Sequence, residues 1–201
     1  MKARLKSFHL WCVRYHVYFY AAMVVLLIAD VVSKKVFESL LLDADQHRIT
    51  VIPGFFTLSL VYNTGAFSGM LGSNLAGQII LTLLSLVCGA GMIFAFVRFD
   101  RKWSFLEKIG LTLAIPGTIG NLIDRALMIF GLQEGVIDFL EFDLGFMVWN
   151  TFNFADTFLV VGVIAFAIGY GIRDYANSKK ERKAREEFYD SKAESEEKKD
   201  E

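Results

Sequence analysis

Four stretches of this chain, at approximately residues 15–36, 76–98, 104–130 and 153–173, are apolar over about 20 residues each, the length that crosses a hydrocarbon core of roughly 30 Å. Hydrophobic residues make up 54% of the sequence and only two prolines occur, so a soluble domain is a poor fit. The sequence therefore reads as an all-α polytopic membrane protein with four transmembrane helices. The third stretch is the least regular, because it holds Pro116-Gly117 and then polar residues near its end.

Basic residues set the expected orientation. Lys2, Arg4, Lys6 and Arg14 precede the first span, Arg98, Arg101, Lys102 and Lys108 lie between the second and third, and Arg173, Lys179, Lys180, Arg182, Lys183 and Arg185 follow the fourth. With four spans all three clusters share one side, which the positive-inside rule places in the cytoplasm together with both termini. Segments 37–75 and 131–152 then face outward. The first span has the basic start and apolar middle of a signal peptide, but Asp30 interrupts it, Lys34-Lys35 follow, and no small-residue cleavage site ends it; it is read as a retained helix.

Two segments differ from the spans. In ITVIPGFFTLSLVYN, β-branched and aromatic residues surround Pro53-Gly54, which points to short strands in a small extracytoplasmic β-rich segment. Beyond the membrane domain, 1–175, residues 176–201 form a mixed-charge cytoplasmic tail with too little apolar surface to fold alone; its first part can extend the fourth span as a solvated helix.

Polar groups recur at the ends of the spans. Asp156 opens the apolar run from Phe158 to Ile172, Asp30 lies in LIADVVSK, Asn121, Asp124 and Arg125 in GNLIDR, and Asp138 in GVIDF. An ion in hydrocarbon costs roughly 2.5–3.5 kcal/mol on insertion scales, so such residues pair, reach water or carry function. On the four-span topology, Asp30, Asn63, Asp124, Asp138 and Asp156 all fall near the outer face.

Elimination narrows the chemistry. The only histidines are His9, His16 and His47; the first two are on the cytoplasmic side and the third stands alone in the outer segment. Cys12 and Cys88 form no disulfide or metal pattern, and Ser68 in GAFSGM has no partner base. Neither metal nor cofactor is expected, nor is a nucleic-acid partner. What remains is carboxylates. Two that share a proton can hydrolyse an amide, the ionised one taking a proton from water while the protonated one polarises the carbonyl. Asp138 and Asp156 make the best pair: Gly145 and Asn150-Thr151 lie between them and let the chain turn back, and Asn150 or Thr151 is placed to cap the fourth helix. Asp156 then sits in early turns, where the helix dipole favours a negative charge. Asn153, one turn earlier, is placed to orient that carboxylate or the attacking water. Asp124 and Arg125 point about 100° apart on a helix and so make separate contacts. Glu141 and Asp143 read as a solvated loop face. For Asp30 and Asn63, structural hydrogen bonding within the bundle competes evenly with catalysis.

The ordered set Asp30-x-x-Ser33-Lys34, Asn63-Thr64-Gly65-Ala66-Phe67-Ser68, Gly120-Asn121-x-x-Asp124-Arg125, Val136-x-Asp138-Phe139 and Phe152-Asn153-x-Ala155-Asp156 strongly resembles the bacterial lipoprotein signal peptidase family, also called signal peptidase II. The match runs from about residue 22 to 172. Each motif alone is short; five in this order are specific. The stretch between Arg125 and Asp138 is longer than the family pattern, and Val31 stands where Gln is common. The resemblance implies an aspartyl endopeptidase of the cytoplasmic (inner) membrane that cuts the signal peptide from diacylglyceryl-modified prolipoproteins, on the amino side of the lipidated cysteine. Asp138 and Asp156 would be the catalytic dyad. Asp30, Asn63, Gly65, Asn121, Asp124, Arg125 and Asn153 would support the site or bind substrate, with membrane lipid as a partner and globomycin-type cyclic peptides as inhibitors. A proton-conducting transporter or a noncatalytic scaffold are the rival classes; the former would be favoured by inverted repeats, and none is found in the sequence.

Overall fold

A computed structural model describes residues 2–65, 74–99 and 103–200, with the side chains of 17–65, 74–99 and 103–189. The Ala66–Ser68 end of the second motif lies outside the described residues, and the side chains of His9, Cys12, His16 and the amino-terminal basic cluster lie outside those described. The chain runs α1 (Lys2–Leu42), β1 (Arg48–Ile52), β2 (Phe56–Asn63), α2 (Leu75–Phe99), α3 (Phe105–Ile129), β3 (Val136–Asp143), β4 (Val148–Phe152) and α4 (Phe154–Asp200). By length and composition three of these helices can cross a membrane, over Val17–Leu42, Leu75–Phe99 and Phe154–Tyr189.

The third expected span differs. At 25 residues α3 is long enough, but it carries Glu107, Lys108, Asp124 and Arg125, and it is the most buried helix, packed against α1, α2 and α4. Pro116 lies inside it without breaking it. Packing explains the polarity: the helix at the centre of a bundle faces protein rather than lipid. Its contact with α4 is backbone-close, since a Cβ on Gly110 would run into Phe166 and Gly162, and one on Gly162 into Ala114 and Gly110. Such small-residue contacts let helices associate in lipid, where apolar burial gives no drive. A cluster of Phe19, Phe96, Leu111 and Ile115 fills the end of α1, α2 and α3 near Trp103.

At the opposite end stands a four-stranded antiparallel sheet in the order β1-β2-β3-β4. Its first two strands lie in the segment expected to hold them. The second pair does not: 131–152 was read as an outer loop, whereas Gly145, with φ of +78°, closes a hairpin between β3 and β4. Asn150 and Thr151 are therefore strand residues, not caps. Ile137 and Phe139 bury against Leu41, and Phe37 stacks on Phe139 with centroids 4.4 Å apart. Successive strand residues point to opposite faces, so Asp138 turns the other way. Two helix ends also differ from expectation: α1 continues to Leu42, and α4 runs on as a single helix to Asp200, exposed from Asp174 through Tyr189.

Candidate active site

The start of α4 organises the site. Asn153 is its cap: Asp156 N–H donates to Asn153 Oδ1 (3.0 Å), while Asn153 N–H donates to Asp156 Oδ2 (3.2 Å). This reciprocal pair satisfies first-turn donors that otherwise have no partner. A third, Ala155 N–H, donates to Asp30 Oδ1 of α1 at 2.8 Å. Asp30 reaches that far because Gly120 has no side chain; a Cβ there would collide with Asp30 Oδ2. Asp30 thus accepts from the first turn of α4.

Asn153 also joins the two candidate carboxylates. Its Nδ2 donates to Asp138 Oδ1 (2.7 Å), and it lies 3.2 Å from Ile137 O and 3.1 Å from Asn121 Oδ1. From the sheet, Asn63 Nδ2 donates to Asp138 Oδ2 (3.1 Å), its orientation set by Gly65 N–H donating to Asn63 Oδ1 (3.0 Å). From α3, Asn121 Nδ2 donates to Asp156 Oδ1 (2.7 Å). Both oxygens of each aspartate therefore accept an N–H, and each keeps lone-pair capacity for a water or substrate group.

Burial separates the two acids. Asp138 is 1% exposed, and burial first, then the charge of Asp156, pushes its carboxyl up to about 7 in spite of the Asn63 and Asn153 donors and the Lys34 charge. Asp156 is half-buried at the helix start. A carboxyl that holds its proton near neutrality beside a second carboxylate supplies the general acid that amide hydrolysis requires.

Asp124 and Arg125 make separate contacts, as their helical spacing demands. Asp124 Oδ2 accepts from Ile137 N–H (3.3 Å) and so pins β3 to α3. Arg125 Nη2 donates to Gly65 O (3.1 Å); its Nη1 is buried and, among the described residues, has no hydrogen-bond partner. Its guanidinium faces the charges of Asp156, Asp138 and Asp124. Every candidate named from the sequence comes to this one centre. Glu141 stays outside it, paired with Arg48, and His47, Nδ1 3.1 Å from Leu41 O, is exposed away from it.

One residue of the first motif joins the centre although the sequence assigned it no part there. Lys34, read as a charge flanking the first span, is 1% exposed and sits among Asp30 Oδ2 (2.9 Å), Asp124 Oδ2 (3.0 Å) and Asn121 Oδ1 (3.0 Å). The available signal was its spacing: four residues after Asp30, it shares that carboxylate's helix face.

The fold and this centre define a polytopic membrane protein in which amides from a sheet and two helices hold a pair of carboxylates together. A family model for signal peptidase (SPase) II matches residues 22–171. A lipoprotein signal peptidase of Sulfurihydrogenibium is 34% identical over 154 residues, covering 73% of this chain and 85% of that protein, and one of Fusobacterium nucleatum is 33% identical over 145 residues, covering 72% and 80%. The chain belongs to the signal peptidase II family, so it is a peptidase, as the five motifs led one to expect. A solved bacterial membrane enzyme shares the fold, with a TM-score of 0.65 at 23% identity over 80% of this chain and 90% of that one.

Proposed function

We propose that the chain is a membrane aspartyl endopeptidase whose catalytic pair is Asp138 and Asp156, and that it removes the signal peptide from diacylglyceryl-modified prolipoproteins on the amino side of the lipidated cysteine. The observation that carries the pair is Asn153, which donates to Asp138 and exchanges hydrogen bonds with Asp156. Asp156, ionised, takes a proton from a water, whose oxygen attacks the scissile carbonyl carbon. Asp138 gives its proton to the carbonyl oxygen, so the tetrahedral intermediate forms without an isolated oxyanion. On collapse the proton returns to Asp138, the C–N bond breaks, and Asp156 passes its proton to the departing amine. Arg125 Nη1, buried and without a hydrogen-bond partner among the described residues, is a donor for a substrate backbone carbonyl. Extending a helical substrate in hydrocarbon bares such groups at several kcal/mol each, which this donor offsets.

The finer topology belongs to the same proposal: four spans including α3, both termini in the cytoplasm, and the site at the extracytoplasmic face of the inner membrane. It rests on the shared side of the three basic clusters and on the site lying at the sheet end of the bundle. Membrane lipid then surrounds a substrate arriving as a helix, and globomycin-type cyclic peptides would occupy the same centre. The test is cleavage by the purified, reconstituted protein of a prolipoprotein with and without its diacylglyceryl group, read by mass. The lipidated form is expected to be cut at least about tenfold faster. Equal rates would remove the lipid from the substrate assignment, and no cleavage of either would remove the assignment altogether.

A further inference from the structure

Lys34 is a buried cation that touches neither aspartate of the proposed pair. Its ammonium can only donate hydrogen bonds. The Asn121 atom 3.0 Å from it must then be the carbonyl oxygen, which also accepts from Asn153 Nδ2 at 3.1 Å. With that end of the amide fixed, the NH2 end faces Asp156 Oδ1 at 2.7 Å. Rotating the amide by 180° would set its NH2 against the ammonium and the Asn153 amide, and its oxygen against the Asp156 carboxylate. Rotation would thus trade these attractive contacts for a donor facing a cation and an acceptor facing an anion, so the amide has one favoured orientation.

Resting on the dyad reading above, we propose that Lys34 is a positioning residue for the reaction: through Asn121 it fixes an N–H donor on Asp156, which keeps that carboxylate the base and aims its remaining lone pairs at the water. The rival account is that Lys34 only neutralises Asp30 and Asp124, to which it lies within 3.0 Å. The charged groups around the site are Asp30 on α1, Asp124 and Arg125 on α3, Asp138 on β3 and Asp156 on α4. All belong in the reading of a pH profile.

Three forms of the full chain, reconstituted in lipid, separate the accounts: wild type, Lys34→Met, and Lys34→Met with Asp30→Asn. The double variant removes one buried charge of each sign and keeps an oxygen for Ala155 N–H. Each is assayed for kcat and KM across pH on one lipidated prolipoprotein. Positioning predicts that kcat falls at least about tenfold in both variants while KM stays within about threefold, and that the acid limb of the profile moves up by about half a pH unit or more as Asp156 loses its donor. A double variant that recovers wild-type kcat and the wild-type acid limb overturns the proposal, leaving Lys34 as a neutralising charge. So does a folded Lys34→Met protein with an unmoved profile. If Lys34→Met does not insert stably, the double variant decides. A failure of the dyad itself reads differently: Asp138→Asn assayed alongside would stay active.

Discussion

The two ends of the α3–α4 pair both bury a carboxylate, yet they use it in opposite ways. At one end Glu107, fully buried, closes a capping box with Ser104: its Oε2 accepts from Ser104 N–H (2.7 Å), and Ser104 Oγ accepts from Glu107 N–H (3.3 Å). Its Oε1 forms an ion contact with Arg173 Nη2 (3.0 Å), which also lies over the ring of Trp103 at 5.3 Å. That end couples one carboxylate to one cation and a cap. At the other end two aspartates share amides, one carboxyl is pushed up to about 7, and a buried guanidinium nitrogen has no hydrogen-bond partner among the described residues. Burial of charge is thus not what marks the functional end. Its marks are two carboxylates held together by shared amide donors and one of them pushed up by burial and by its neighbour's charge.

The strongest attempt to break this contrast is Asp138→Asn and Asp156→Asn. Each is expected to lower cleavage by more than about 10³-fold while insertion and folding persist, because the amide keeps the volume and loses the exchangeable proton. Substantial turnover in either would strip that residue of its role.

The pH profile sharpens it. The active form keeps a proton on Asp138, so kcat/KM is expected to fall as pH rises through about 7. Stability follows the same group. Between its ordinary value of 3.8 and about 7 the folded state binds more protons at Asp138 than the unfolded state, so this contribution is complete at low pH and is lost on the way to neutrality. Thermal unfolding in detergent should therefore show Asp138→Asn gaining on the wild type steadily from about pH 4 to pH 8. A constant difference would mean that burial does not raise this acid.

Arg125→Ala comes next. Losing a charge-assisted donor to substrate is expected to reduce kcat/KM about 10- to 100-fold without changing which bond is cut, read by mass of the products. A shifted cleavage position would give Arg125 a part in choosing the bond.

The smallest effects on activity belong at the other end. Glu107→Gln keeps the cap and loses the ion pair; it is expected to cost about 1 kcal/mol of stability and to leave cleavage per folded molecule within about twofold. Removing residues 181–201, exposed through Tyr189, should change even less. A large loss of kcat in either stable variant would erase the distinction between the two ends.

Much of the centre was legible before folding was considered. A carboxylate opening an apolar run has few innocent explanations in a membrane, and Asp156, Asp138, Asp124 and Asp30 were all found on that ground. The β3–β4 hairpin is hard to read from the sequence because VIDFLEFD does not alternate cleanly: β3 buries Asp138 on one face and Ile137 and Phe139 on the other. The place of Lys34 in the centre is hard to read for a related reason. A lysine pair ending an apolar stretch looks interfacial, and only packing against α3 turned one of the two inward while Lys35 stayed exposed.

The sequence by itself determined the class of molecule, the helices, the acids and the family, since these rest on apolar length and on short motifs that survive as text. Which group faces which was decided by the tertiary structure. Asn153 caps α4 and joins the aspartates only because a hairpin returns the chain beside β3, and Asn121 presents its NH2 rather than its oxygen only because Lys34 arrives from another helix. An amide's two ends are alike in size and opposite in function, so its orientation is set by what the fold places next to it.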